Sequence, residues 1–176
     1  MLFDLLARQE ERIVKLWFDS VARTYPQETQ EFLKSKANQF GNPVGHNTRD
    51  GLRAIFRQII SNNNTEDLRK ALDLVIRIRS VQDFTAPAAV VFVYQLKKII
   101  RQELSGQWSE IRAGDEWEKF EDRLDALALL AFDVYTDCRE SLNQIRTNEI
   151  KKQTSKLIES TNVPCGGTCK EEGLRD

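Results

Sequence analysis

The sequence is short of both helix breakers. Eight glycines and four prolines among 176 residues make up about 7% of the chain, against roughly 12% in an average protein. An all-β fold consumes both residues in its turns, so their scarcity argues against that class and favours long helices. Any excess of one charge is also missing, since 26 Lys and Arg face 27 Asp and Glu for a net charge of -1. With the signs mixed along most segments there is no basic field to neutralise a phosphate backbone, and nucleic acid is not expected as a partner. The longest apolar run, Ala86 to Tyr94, has nine residues and includes Pro87, whereas a membrane-spanning helix needs about 20. The opening Met1-Leu2-Phe3-Asp4 has neither the basic region nor the continuous apolar stretch of a signal peptide, so a cytoplasmic location is expected. There the three cysteines stay reduced, and their odd number argues against a disulfide framework.

What is present is helical periodicity. Leu6, Ile13, Leu16, Trp17 and Val21 recur at helical spacings and predict an amphipathic first helix from Leu2 to about Arg23. Pro26 suits the start of a short second helix anchored by Phe32 and Leu33. Phe40-Gly41-Asn42-Pro43-Val44-Gly45 is the densest group of breakers in the body of the chain and predicts an ordered turn. Asn47 or Thr48 is then the expected cap of a third helix carrying Leu52, Ile55, Phe56, Ile59 and Ile60. Ser61 to Asn64 ends it, and Thr65 caps a fourth helix with Leu68, Leu72, Val75 and Ile76 inward. Thr85 caps the fifth, with Pro87 in its first turn and apolar residues on most sides from Ala88 to Ile100. The β-branched stretch Val90 to Tyr94 also suits a strand, but no second strand exists to pair with it.

From Asp115 to Val163 there is neither Gly nor Pro across 49 residues. Trp117, Phe120, Leu124, Leu127, Ala131, Val134, Cys138, Leu142 and Ile145 keep a three-and-four spacing through its first part, and beyond Ile145 the apolar residues thin. The expected element is one long helix over about 115–160, packed for its first 30 or so residues and then projecting or pairing with another chain. Residues 161–176 read as a flexible tail containing cysteines, separate from a helical domain over 1–160.

Trp17 near the end of helix one, Thr24-Tyr25-Pro26, Phe32-Leu33, and the turn Phe40 to Gly45 together resemble the amino-terminal domain of RsbRD-type co-antagonists of RsbT, proteins of the bacterial stressosome. The resemblance covers roughly residues 1 to 155. It implies an all-helical sensory input module whose last helix leads, in that family, into a STAS domain of the phospho-relay. Sixteen tail residues are too few for a STAS domain, so the resemblance implies a standalone sensor domain whose output passes through a partner. A related group of stressosome proteins has globin-like sensory domains, which admits a globin-like bundle and raises haem as a cofactor. A proximal haem ligand belongs on a helix lining a deep apolar pocket. His46, the only histidine, follows a turn, so haem is not expected and a capping or surface role is.

Cys165-Gly166-Gly167-Thr168-Cys169 is the most chemically suggestive segment. Its two thiols form a possible redox pair, or supply two of the four soft ligands of a zinc site that adjacent tails of a homodimer would complete. Cys138, on the apolar stripe of the long helix, reads as a small core residue. Clustered carboxylates such as Glu116, Glu118, Glu121 and Asp122 lack the histidines of a di-iron bundle. Trp108, in the expected loop from Ser105 to Gly114, marks a partner contact if its indole is exposed.

These features predict an all-α single bundle of about six helices with a long carboxy-terminal helix. The expected role is a non-enzymatic signalling or sensor domain with no catalytic residues and no cofactor, acting through a protein partner and dimerising through its last helix. Two alternatives stand beside it: a redox accessory protein using Cys165 and Cys169, and a small-molecule-binding bundle with an apolar pocket between the fifth and sixth helices.

Overall fold

The computed structural model describes residues 1–35, 40–61 and 65–161, with side chains to Ile158. The described residues form nine α-helices and no strand. These are α1 (Leu2–Arg8), α2 (Glu10–Ala22), α3 (Gln27–Lys34), α4 (Pro43–Ser61), α5 (Thr65–Val81), α6 (Ala86–Val90), α7 (Phe92–Glu103), α8 (Trp108–Arg112) and α9 (Glu116–Thr161), with a 3-10 turn at Ser105–Gln107. The all-α class and the long final helix stand as expected. The excess over six comes from two breaks and one added helix.

Residues 1–140 form one compact unit. Within it α2 packs against both α4 and α7, and α4 lies along α5. Ile13, Val14, Trp17, Phe18 and Val21 of α2 are all buried, as the periodicity predicts. The amphipathic stretch is nevertheless two helices. The Gln9 amide donates to both Leu5 and Leu6 carbonyls at 3.1 and 3.2 Å, and the Gln9 carbonyl accepts from Ile13 to begin α2. One residue thus closes one helix and opens the next, and α1 turns toward α4.

The expected fifth helix is broken at Val91. A continuous helix would offer the Ala88 carbonyl to the Phe92 amide. That carbonyl accepts from Arg79 Nη2 at 2.7 Å. Four residues on, the Phe92 carbonyl, in the first residue of α7, accepts from Trp17 Nε1 at 2.7 Å. The Arg79 side chain from α5 therefore intrudes on the ladder where α6 meets α7, a recognised cause of helix breaks.

The turn before α4 is built on Asn42, only 2% exposed. Its Nδ2 donates to the carbonyls of Phe32 at 2.7 Å and Leu33 at 3.1 Å, and its Oδ1 accepts from the Gly45 amide at 2.8 Å. One side chain satisfies carbonyls at the end of α3 and an amide at the start of α4. The helix consequently begins at Pro43, earlier than a cap at Asn47 or Thr48 would put it. A Cβ on Gly45 would lie 2.5 Å from Asn42 Nδ2 and from the Leu33 carbonyl, so this position needs glycine. Asn42→Ala is expected to destabilise the fold by about 2–3 kcal/mol, because it strands buried backbone groups on both helices. A urea midpoint unchanged from the parent's would refute that cap.

The first part of α9 closes the core with Trp117, Phe120, Leu124, Leu127, Ala131 and Val134. It also holds the ends of α4 and α5 and the turn after α5. Arg123 Nη1 donates to the Ile59 and Ile60 carbonyls, Tyr135 Oη to the Phe84 carbonyl, and Arg139 Nη1 to the Ser80 carbonyl. Residues 141–176 form the second unit. Its described part continues α9 to Thr161, and Ile145, Ile150, Leu157 and Ile158 along it are each more than half exposed.

Candidate interaction site

Leu104, Trp108 and Ile111 follow one another at four- and three-residue spacing, and Leu104 and Ile111 are buried. That spacing folds the segment expected as a loop into the 3-10 turn and α8, and sets Trp108 half-buried against the core. The same spacing, readable in the sequence, was the missed signal. The Trp108 indole meets Trp117 of α9 edge to face, with ring centroids 4.6 Å apart at 82°. Arg101, in the last turn of α7, carries its guanidinium 5.5 Å from the Trp108 ring and 5.2 Å from the Trp117 ring, within cation–π range.

Glu121 completes the group. Its Oε1 accepts from Arg101 Nη2 at 3.2 Å and lies 2.5 Å from Lys97 Nζ. The Lys97 ammonium holds the Glu121 carboxyl below its ordinary value, against the opposing effect of partial burial, with Trp117 and Arg101 adding to the lowering. A carboxyl depressed in the fold gives stability that is present above its unfolded pKa and lost as pH falls through the folded one. Glu121→Gln should therefore lower the melting temperature near pH 7, and the gap to the parent should be smaller at about pH 3, below the ordinary carboxyl value, as the folded carboxyl begins to take up its proton. An equal gap at both pH values in calorimetry would contradict this.

Arg101, Trp108, Trp117 and Glu121, with Ser105 and Arg112, line a cleft of about 560 Å³ between the end of α7 and the start of α9. The expected pocket between the fifth and sixth predicted helices was apolar; this cleft mixes two indoles with two guanidinium groups, a hydroxyl and a carboxylate. Trp and Arg around a partly desolvated cleft are the residue types that carry most of the energy in protein interfaces.

The other candidates lie apart from it. His46 sits in the first turn of α4, with Nε2 3.0 Å from Asp50 Oδ2 and its side chain 40% exposed. Cys138 is half-buried against the core, its Sγ 3.8 Å from Asp73 Oδ1. Burial first, and then the Asp73 carboxylate, push its thiol pKa up, which keeps it protonated and unreactive. Cys165 and Cys169 lie outside the described residues, as does the rest of the tail after Thr161.

The family described as the RsbT co-antagonist protein rsbRD N-terminal domain matches residues 11–150. The chain belongs to this family. No curated protein and no solved structure matches it. Membership places the chain among the amino-terminal domains of RsbT co-antagonist proteins. The matched span contains the Asn42 turn, the α6–α7 break and the whole tryptophan–arginine cleft of the RsbRD domain. Among the described residues, no helix is long and apolar enough to cross a membrane.

Proposed function

We propose that this RsbRD domain is a non-enzymatic, cytoplasmic sensor module that acts by binding a protein partner and forms a homodimer through the end of α9. The observation that carries the reading is the family match over residues 11–150. The cleft of Arg101, Trp108 and Trp117 supplies a contact of the right chemistry. Dimerisation draws support from Asn143, Ile150 and Leu157, which fall seven residues apart on α9 with Thr147 and Thr154 four residues after the first two. Seven-residue spacing is that of a coiled-coil seam, and a polar Asn within one sets register.

A signal that binds two arrangements of α9 unequally shifts their populations, and the partner reads the shift. Affinity capture from cells that express the chain is expected to recover a STAS-domain protein. Trp108→Ala should lower its recovery at least about tenfold, the loss of one interface anchor of about 2 kcal/mol. Equal recovery by both forms would remove the cleft from the account. In sedimentation velocity the parent should run as a dimer and Ile150→Glu as a monomer; a parent that stays monomeric at high concentration would dispose of the dimer.

A further inference from the structure

A second groove lies on another face of residues 1–140, between α2, the end of α3 and α4, with a volume of about 770 Å³. Its floor holds Val14 and Phe18, and its sides carry Lys15, Lys34, Arg49 and Arg53. The carboxylates beside it are engaged. Glu11 takes Arg53 Nη2 on both oxygens at 3.2 Å, and Asp19 lies 3.8 Å from Lys34 Nζ. Among the described residues no carboxylate is paired with Arg49 or Lys15. Arg49 instead lays its guanidinium 4.4 Å over the Phe18 ring. A guanidinium stacked in this way keeps its N–H edge available for a carboxylate or phosphate. Arg53 Nε, buried in the same wall, makes no hydrogen bond and lies 3.9 Å from Glu10 Oε1.

In a chain of net charge -1, two uncommitted cations beside an aromatic floor are a local departure from balance. The groove's volume is that of a small-molecule site. We propose that it binds an organic anion with an apolar body, such as an acyl carboxylate. The carboxylate takes the Arg49 edge and the Lys15 ammonium, and the apolar body lies along the aliphatic stems of the lining side chains, over the buried Val14 and Phe18. This assignment is independent of the tryptophan–arginine cleft and of the partner it would bind.

Decanoate, 1-decanol and inorganic phosphate separate the parts of the claim when each is titrated into the full chain and followed by backbone amide chemical shifts. Decanoate should saturate shifts around Val14, Lys15, Phe18 and Arg49. Decanol has the chain without the charge and phosphate the charge without the chain, so each should bind at least about tenfold more weakly. Arg49→Gln should weaken decanoate about tenfold while far-UV circular dichroism stays unchanged. Lys15→Gln, at an exposed position of α2, gives the same test if the first variant does not fold. The proposal is overturned if decanoate produces no saturable shifts or shifts elsewhere, if decanol or phosphate binds as tightly, or if the variant that folds binds decanoate like the parent.

Discussion

Trp17→Ala is expected to lower the unfolding free energy by about 4 kcal/mol, the largest loss for any single side chain in this fold. Trp17 is fully buried, its ring centroid stands 5.8 Å from that of Phe92, and its Nε1 holds the Phe92 carbonyl at 2.7 Å. Truncation opens a cavity between α2 and α7 and also removes the indole donor from the Phe92 carbonyl at the start of α7. Trp17→Phe keeps most of the apolar volume and loses the donor, so it should cost about 1–3 kcal/mol. Against a total of about 5–15 kcal/mol, the alanine variant sits close to the unfolding threshold. Urea titrations followed by circular dichroism check both numbers, with the midpoint falling and the slope holding. If Trp17→Ala lies within about 1 kcal/mol of the parent, the α2–α7 clamp is misread.

The second large effect turns on sign as much as size. Arg79 is 1% exposed, and no carboxylate is paired with it among the described residues. Nη2 donates to the Ala88 carbonyl and, at 3.1 Å, to Thr24 Oγ1, while Nε and Nη1 make no hydrogen bond. Its guanidinium lies 4.3 Å above the Phe84 ring and 5.4 Å from that of Tyr25. Burial pulls its pKa below the ordinary guanidinium value, and Tyr25 offsets only part of that. Arg79→Ala removes the stem and the cap together and should cost about 3 kcal/mol.

Arg79→Met keeps the apolar stem and removes a charge whose burial is incompletely compensated, so its stability should fall within about 1 kcal/mol of the parent or exceed it. The freed Ala88 carbonyl then becomes available to the Phe92 amide, and α6 and α7 should join into one helix, seen as slower exchange of the Phe92 amide. A methionine variant as unstable as the alanine one would mean that the guanidinium itself holds this corner together.

Both residues also explain what the sequence hid. Spacing alone gave the buried stripes of α2, α5, α7 and the first part of α9, because a helix that packs on a core must repeat its apolar residues every three or four positions. The break at Val91 depends on a donor from Arg79, 9 residues from the Ala88 carbonyl it takes, and α7 is tied to α2 by Trp17, 75 residues from the Phe92 carbonyl. Local pattern carries no trace of such partners. Asn42 shows the same limit on a shorter scale: a polar residue before Pro43 reads as a turn, but its bonds to Phe32 and Leu33 appear only once α3 folds back. Trp108 was within reach of the spacing rule, since Leu104 and Ile111 flank it at helical intervals. The cation-lined groove was not, because Lys15 and Arg49 lie on helices that meet only in the folded state.

Hydrogen exchange of the full chain, free and bound to the STAS-domain protein it captures, tests the central claim most directly. A sensor module that works through a partner predicts slowed exchange across residues 97–121, where the tryptophan–arginine cleft lies, together with altered exchange along residues 141–158 of α9. Unchanged exchange in both segments on saturation with that protein would contradict the account.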